Sequence, residues 1–177
     1  MKELVVVSGK GGVGKSSITA SLAVLLSKAG IRITTIDSDV DAPNLSIVLG
    51  ADIANFTDIQ ASEKASIDPV KCKRCGKCVS VCKMGALLNI EGRAPALIPF
   101  LCEGCGACTL ACPTDAISIV HVTNGRIGLA KTPYGFPIVA GQLNIGESSS
   151  GHIVTAVKAK GRSVAESLRS DLILVDG

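Results

Sequence analysis

The sequence contains no tryptophan, one tyrosine and three phenylalanines, so aromatics make up only 2% of its 177 residues. A core built without them has to come from Val, Ile, Leu and Ala, which suits parallel strands covered by helices. Long apolar runs are also missing. None approaches the ~18 residues of a membrane span. The opening MKELVVVSGKGG holds an apolar run too short for a secretory signal and leads straight into a glycine motif. Strong charge is absent too: the net charge is +3, with no arginine-rich arm and no set of stacking aromatics to suggest nucleic acid. These absences predict a cytoplasmic protein with neither a membrane nor a nucleic-acid partner. A 47% hydrophobic share and a mean hydropathy of +0.44 mark a globular chain. All eight cysteines fall between positions 72 and 112. Without an export signal, their spacing points to metal rather than disulfides.

Leu4 to Ser8 is a short β-branched run that ends in glycines, a buried strand. Ile18, Leu22, Leu25, Leu26 and Ala29 then recur at helical spacing, with Gly30 as a stop. Arg32 to Asp37 reads as the next strand, completing a β-loop-α-β unit with a right-handed crossover. A short helix is expected around Asn44 to Leu49 and a strand over Phe136 to Ile145. Ser150 is a helix cap, Ile153, Val154 and Val157 form a buried helical face, and Ser163 to Ser170 continue it. DLILVD, Asp171 to Asp176, is another buried parallel strand.

Composition shifts near Ala65, and the segment around Cys72 resembles the segment around Cys102, an internal repeat. Thr123-Asn-Gly-Arg126 is a hairpin signal between ISIVHV and IGLA. The predicted organisation is residues 1–64 and 121–177 as two parts of one α/β domain, with residues 65–120 inserted between them. A mid-sheet strand so close to Gly177 reads as a piece of a longer protein. His121 and His152 are lone histidines, read as surface or hydrogen-bonded residues.

Gly9-Lys-Gly-Gly-Val-Gly14-Lys15-Ser16 fits G-x-x-x-x-G-K-[ST]. Gly9, Lys10, Gly11, Gly12, Val13, Gly14, Lys15, Ser16 and Ser17 are therefore the candidate nucleotide-binding residues. Glycines let consecutive N–H groups turn onto phosphates. Lys15 supplies a positive charge, the Ser16 hydroxyl a ligand for Mg²⁺, and the following helix its positive dipole end. Asp37 and Asp39 close the second strand, where ligands sit in open α/β sheets. Turn chemistry is the competing reading for both acids.

The first cysteine set is Cys72-x₂-Cys75-x₂-Cys78-x₃-Cys82; the second is Cys102-x₂-Cys105-x₂-Cys108-x₃-Cys112-Pro113. This is two-cluster ferredoxin spacing, in which the fourth cysteine of each set serves the other cluster. The expected ligand sets are Cys72, Cys75, Cys78 and Cys112 for one [4Fe-4S] cluster, and Cys102, Cys105, Cys108 and Cys82 for the other. Zinc, the competing reading, pairs C-x₂-C units across longer gaps. Gly76, Gly104 and Gly106 are expected to let the backbone approach and donate N–H groups to sulfur. Lys71, Lys73, Arg74, Lys77 and Lys83 crowd the first set. They read either as a solvated face or as a group that favours the reduced cluster or docks an acidic partner.

KGGVGKS, Lys10 to Ser16, resembles the deviant Walker A loop of the MinD/ParA/nitrogenase-iron-protein superfamily. The whole chain resembles the members that carry an inserted ferredoxin domain. The implied fold is a P-loop NTPase-type α/β sheet, mostly parallel with helices on both faces, plus a two-cluster ferredoxin-like module. The resemblance implies ATP or ADP with Mg²⁺ as ligands and a nucleotide-dependent homodimer, with Lys10 reaching the partner's nucleotide. Lys10, Lys15 and Asp39 are then the catalytic candidates, with Asp39 orienting water. Ser16, Asp37, Asp39 and Asp176 lie in the Mg²⁺ region. In the family the motif at Asp176 runs on into a loop beyond Gly177. Three functions follow: an ATPase gating electron transfer to a redox partner, an ATP-dependent carrier serving a metalloprotein client, or a redox sensor with a regulatory nucleotide site.

Overall fold

The computed structural model describes residues 1–147 and 151–177. It divides into two compact units: 1–59, 125–144 and 149–177 form one, and 60–124 with 145–148 form the other.

The larger unit is a six-stranded sheet in the order β1-β10-β2-β9-β8-β3. Its parallel part comprises β1 (Lys2–Val6), β10 (Leu172–Asp176), β2 (Ile33–Asp37) and β9 (Pro137–Leu143). β8 (Gly125–Lys131) and β3 (Phe56–Ile59) extend it antiparallel. All five residues of β2 are buried. Its two threonines stay satisfied because Thr34 Oγ1 meets Ser170 Oγ at 2.8 Å and Thr35 Oγ1 donates to the Pro137 carbonyl at 3.0 Å.

Helix α1 (Lys15–Lys28) covers one face, and α2 (Leu45–Val48) extends the same layer. Ala20, Ala23, Ile33, Leu45, Leu49, Phe136, Ile138 and Leu174 form the core there. Strand alternation sends Ile36 to the opposite face, under α5 (Gly151–Ser167). That contact is close: a Cβ on Gly161 would lie 2.2 Å from Ile36 Cδ1. Gly30 ends α1 as expected, at φ +82°. The expected continuation at Ser163 is the second half of α5 itself, and Ser150 lies outside the described residues. No helix among the described residues is long and apolar enough to cross a membrane.

The smaller unit pairs β4 (Ser62–Ile67) antiparallel with β7 (Ile117–Val122). Between them lie α3 (Lys77–Val81), a hairpin of β5 (Leu87–Leu88) and β6 (Ala96–Leu97), and α4 (Ala107–Leu110). Cys78 and Cys108 are buried with Ala65, Leu87 and Ile117 in its small core.

The hairpin expected at Thr123 to Arg126 does not form. β7 pairs with β4, whereas β8 pairs with β3 and β9 in the other sheet. A two-residue hairpin of the Asn-Gly kind needs positive φ at both positions, and neither Asn124 nor Gly125 has it. Asn124 is fully buried instead, its Oδ1 accepting from the Ala61 N–H at 2.9 Å. Gly125 is small because a Cβ would lie 2.2 Å from Ile153 Cδ1 and 2.8 Å from the Gln142 carbonyl oxygen.

Candidate functional site: a phosphate loop and two cysteine cavities

Register aligns Val6, Asp176 and Asp37 across β1, β10 and β2, so both acids sit at the carboxyl edge of the parallel strands. The loop from Ser8 to Gly14 turns there, with Gly12 at φ +78° and Gly14 at φ +91°. Side chains rarely adopt those angles. The α1 N-terminus faces the loop with no side-chain cap, leaving backbone N–H groups for an anion. A cleft of about 330 Å³ is lined by Ser8, Gly9, Lys10, Gly11, Lys15, Ser38, Asp39, Val40, Asp41 and Gly177.

Lys15 Nζ lies 3.2 Å from Asp176 Oδ1 and 3.5 Å from Asp39 Oδ2. Nevertheless, its ammonium is buried without a properly angled hydrogen bond, and so is Asp176 Oδ2. Buried polar atoms left without hydrogen bonds are costly. The arrangement fits a phosphate at Lys15 and a cation or its water shell near Asp176. Thr19 Oγ1 donates to Asp176 Oδ1 at 3.0 Å, and the Ser38 hydroxyl donates to the Asp176 carbonyl at 2.8 Å. Sequence reasoning overlooked these two residues. Thr19 stands four residues after Lys15, hence on the same helical face.

Asp37 is fully buried. Its Oδ1 accepts from the Asp39 N–H at 3.2 Å and its Oδ2 from the Leu45 N–H at 2.9 Å. The carboxylate thus braces the turn into α2. Burial pushes its pKa up to about 6, with Asp176 and Asp39 adding repulsion and the two N–H bonds opposing the rise. Asp37, Asp39 and Asp176 form no ion-sized cluster: among the described residues, no three His, Cys, Asp or Glu side chains gather around a single metal position. Asp39 and Asp176 reach Lys15 instead. Lys10, Val13 and Ser17 are exposed, and Ser16 is half-buried at the first turn of α1.

The eight cysteines are free thiols. They line two separate cavities in the smaller unit, four to each. One takes Cys82, Cys102, Cys105 and Cys108. The other takes Cys72, Cys75, Cys78 and Cys112. Each cavity therefore draws three thiols from one repeat and one from the other.

N–H groups also approach the sulfurs in a repeating way. The Ala86 N–H donates to Cys82 Sγ at 3.3 Å and the Ala116 N–H to Cys112 Sγ at 3.3 Å, the same offset in each repeat. The Arg74 N–H reaches Cys72 Sγ and the Ala65 N–H reaches Cys102 Sγ, both at 3.4 Å. The expected glycine donors are not the ones used. Gly76 and Gly106 cap α3 and α4 in left-handed geometry. Gly104 provides clearance, because a Cβ there would lie 2.4 Å from the Glu63 carbonyl oxygen. Burial raises the Cys78 and Cys108 thiols, whereas N–H donors from Thr114 and Ala116 lower Cys112.

Fold and site together define a P-loop nucleotide-binding protein that carries a ferredoxin-like cysteine module. Residues 1–97 match the ParA family model, described as the NUBPL iron-transfer P-loop NTPase, and residues 95–118 match the 4Fe-4S binding domain. The chain belongs to that ParA family of P-loop NTPases, within the MinD/ParA superfamily, and bears a 4Fe-4S domain. It is 39% identical over 175 residues to an uncharacterised protein of Methanocaldococcus jannaschii, covering 99% of this chain and 59% of that protein. The septum site-determining protein MinD of Thermotoga maritima is 55% identical over 47 residues, 27% of this chain and 17% of that one. An iron-sulfur cluster carrier protein of Methanococcus maripaludis is 44% identical over 50 residues, 28% of this chain and 17% of that one. The solved MinD of Pyrococcus horikoshii with Mg-ADP aligns at a TM-score of 0.40 and 21% identity, over 99% of this chain and 48% of that one.

Proposed function

We propose that this chain is the nucleotide-binding and redox part of an ATPase in which nucleotide binding gates electron transfer through two resident [4Fe-4S] clusters. The observation that carries the reading is the four-by-four division of the cysteines, each cavity completed by the other repeat. Cys72, Cys75, Cys78 and Cys112 hold one cluster, and Cys102, Cys105, Cys108 and Cys82 the other. Releasing either one would disturb a ligand of both repeats, which favours residence over delivery. The clusters supply one-electron redox chemistry when bound.

In the cleft, the loop N–H groups and Lys15 bind the phosphates of ATP or ADP. Ser16 and Asp176 hold Mg²⁺ or its waters, and Asp39 orients the attacking water. Asp37 acts beside them by bracing the turn that carries Asp39. Lys10, exposed in the loop, reaches the nucleotide of a second copy in a homodimer. The module spans approximately residues 65–120, between parts 1–64 and 121–177 of the NTPase domain, and the protein works in the cytoplasm.

Coupling has a route along the chain between the two units. The Leu143 N–H donates to the Val40 carbonyl at 3.0 Å, next to Asp39. Four residues further on, Glu147 pairs with buried Lys64 in β4, the strand that opens the smaller unit. A second reading, ATP-dependent delivery of an iron–sulfur cluster to a client protein, is favoured by the iron-transfer description of the family and by the exposure of Cys75 and Cys105.

Anaerobic redox-monitored EPR of the reconstituted protein separates them, run without nucleotide, with ADP, and with a non-hydrolysable ATP analogue plus Mg²⁺. Two reduced-cluster signals whose midpoints move with nucleotide are expected. Midpoints indifferent to nucleotide, together with ATP-dependent loss of iron to an apo-ferredoxin, establish delivery instead.

A further inference from the structure

The two cysteine repeats align at a constant offset of 30 residues, so each position in one has a counterpart in the other. The fold asks much the same of both, yet their charges differ. Residues 71–83 hold five basic side chains and no acid; residues 101–113 hold Glu103 and no base. Lys71, Lys73, Arg74 and Lys77 correspond to Leu101, Glu103, Gly104 and Ala107. The basic residues are therefore not needed to build a cysteine lobe.

Their placement is specific. Lys73 and Lys77 line the cavity of Cys72, Cys75, Cys78 and Cys112, and no acid does. At the other cavity Lys83 is offset by Glu103. All four side chains, Lys71 to Lys77, are exposed, as is Cys75 between them. Lys71 approaches Asp68 at 4.0 Å, and among the described residues the other three have no ion-pair partner. Val70, 92% exposed, immediately precedes Lys71 and adds an apolar contact point at the edge of the basic segment. Exposed apolar surface next to unpaired charge suits a transient, electrostatically steered protein interface.

We propose that Val70, Lys71, Lys73, Arg74 and Lys77 form the docking surface for an acidic one-electron carrier protein, which exchanges electrons with the cluster held by Cys72, Cys75, Cys78 and Cys112. This rests on the electron-transfer reading above. In the outward direction the reduced cluster loses one electron and the carrier's centre gains it. With a flavin acceptor, the oxidised flavin takes that electron and a solvent proton to become the neutral semiquinone.

The test uses the full holo-chain, reduced and mixed by stopped flow with an acidic flavodoxin as probe. The second-order rate is expected to fall at least about tenfold from low to physiological ionic strength, as electrostatic steering is screened. Lys73→Glu/Lys77→Glu is expected to remove most of the low-salt rate and its salt dependence. Lys71→Glu/Arg74→Gly, which alters no cavity-lining side chain, is expected to act in the same direction, whereas Lys160→Glu, a charge reversal at an exposed position of α5, leaves the rate unchanged. Carbodiimide cross-links to the flavodoxin are expected on Lys71, Lys73 or Lys77. A rate indifferent to salt and to these changes overturns the docking surface. So does a rate change explained wholly by shifted cluster midpoints, which assigns the lysines to tuning. A small neutral mediator keeps the two readings apart: if the reduced protein reduces it normally while flavodoxin shows no salt dependence, docking fails and electron transfer stands. If neither is reduced, the electron-transfer reading fails.

Discussion

Lys15 Nζ lies 3.2 Å from Asp176 Oδ1, two opposite charges in a buried site without a hydrogen bond between them. The ammonium is held near the acid but keeps its donors for something else. Lys15→Ala removes a charge-assisted contact, and such contacts contribute roughly 1.5–3 kcal/mol. Affinity for Mg-ADP is therefore expected to fall roughly ten- to hundredfold by titration calorimetry. Both cysteine cavities should still take up iron. An unchanged affinity removes Lys15 from the nucleotide site.

Asp37 gives the nucleotide unit a pH dependence of unusual sign. Its carboxyl titrates near 6 in the fold against 3.8 unfolded, chiefly because it is buried. Between those values the folded state binds more protons than the unfolded one, so stability falls as pH rises through the window. The whole effect is of the order of 3 kcal/mol. Glu3 and Asp171 are shifted downwards by Lys158 and Arg32 respectively, so their contributions fade only in stronger acid. Urea denaturation of the nucleotide-free protein, followed at 222 nm where α1 and α5 dominate, is expected to give a higher midpoint at pH 5 than at pH 7. Asp37→Asn should flatten that difference, and an equal slope in both proteins refutes the assignment.

Much of this was legible in sequence because the chemistry is carried by residues at fixed short spacing. Gly9 to Ser16 and the two cysteine runs sit on local backbone geometry, so a string of residues is enough to expose them. The buried parallel strand β10 was readable from its apolar run LILV, and β2 from the β-branched run ITTI that follows α1. The pairing of β7 was not. Asn124-Gly125 carries a turn dipeptide, but burial of the Asn124 side chain and the close approach of Gln142 to Gly125 decide its conformation. Those are long-range contacts that no local signal encodes. Thr19 and Ser38 escaped notice for the same reason: their importance lies in reaching Asp176, 157 and 138 residues away.

Crossed ligation can be tested by choosing which cysteines are removed together. Cys72→Ala/Cys112→Ala takes two ligands from one cavity and leaves the other complete. Cys72→Ala/Cys82→Ala takes one from each. The first variant is expected to retain one four-iron cluster with an undisturbed EPR signal, about half the wild-type iron. In the second, both signals should change. The reverse pattern supports uncrossed sets drawn from single repeats.

Gly104 and Gly76 share left-handed backbone, at φ +66° and φ +71°, but differ in surroundings. A Cβ on Gly104 would strike the backbone of Glu63, while one on Gly76 meets nothing within 4 Å. Gly76→Ala thus carries only conformational strain, about 1 kcal/mol. Gly104→Ala adds displacement of β4 and is expected to cost roughly 3 kcal/mol in total. Since the Ala65 N–H bonds Cys102 Sγ, the loss should appear first as poor iron uptake at the cavity of Cys82, Cys102, Cys105 and Cys108. Equal tolerance of the two substitutions, measured as iron per chain, contradicts the close approach.

Lys64 is 4% exposed on β4, and its ammonium meets Glu147, a residue that follows β9 by only four positions. The pair joins a strand next to the cysteines to the chain segment leaving the nucleotide unit. Glu147→Gln leaves a buried cation without its counter-charge, a change that costs about 3 kcal/mol or more in a fully buried setting and less here, where Glu147 is partly exposed. Lys64→Met/Glu147→Gln removes the cation as well and should recover most of that stability. If this pair transmits the nucleotide state, the double variant will keep both clusters and bind Mg-ADP normally, while its midpoints no longer move on binding. Midpoints that still shift with nucleotide in the double variant exclude this route and leave any coupling to the chain entering β4.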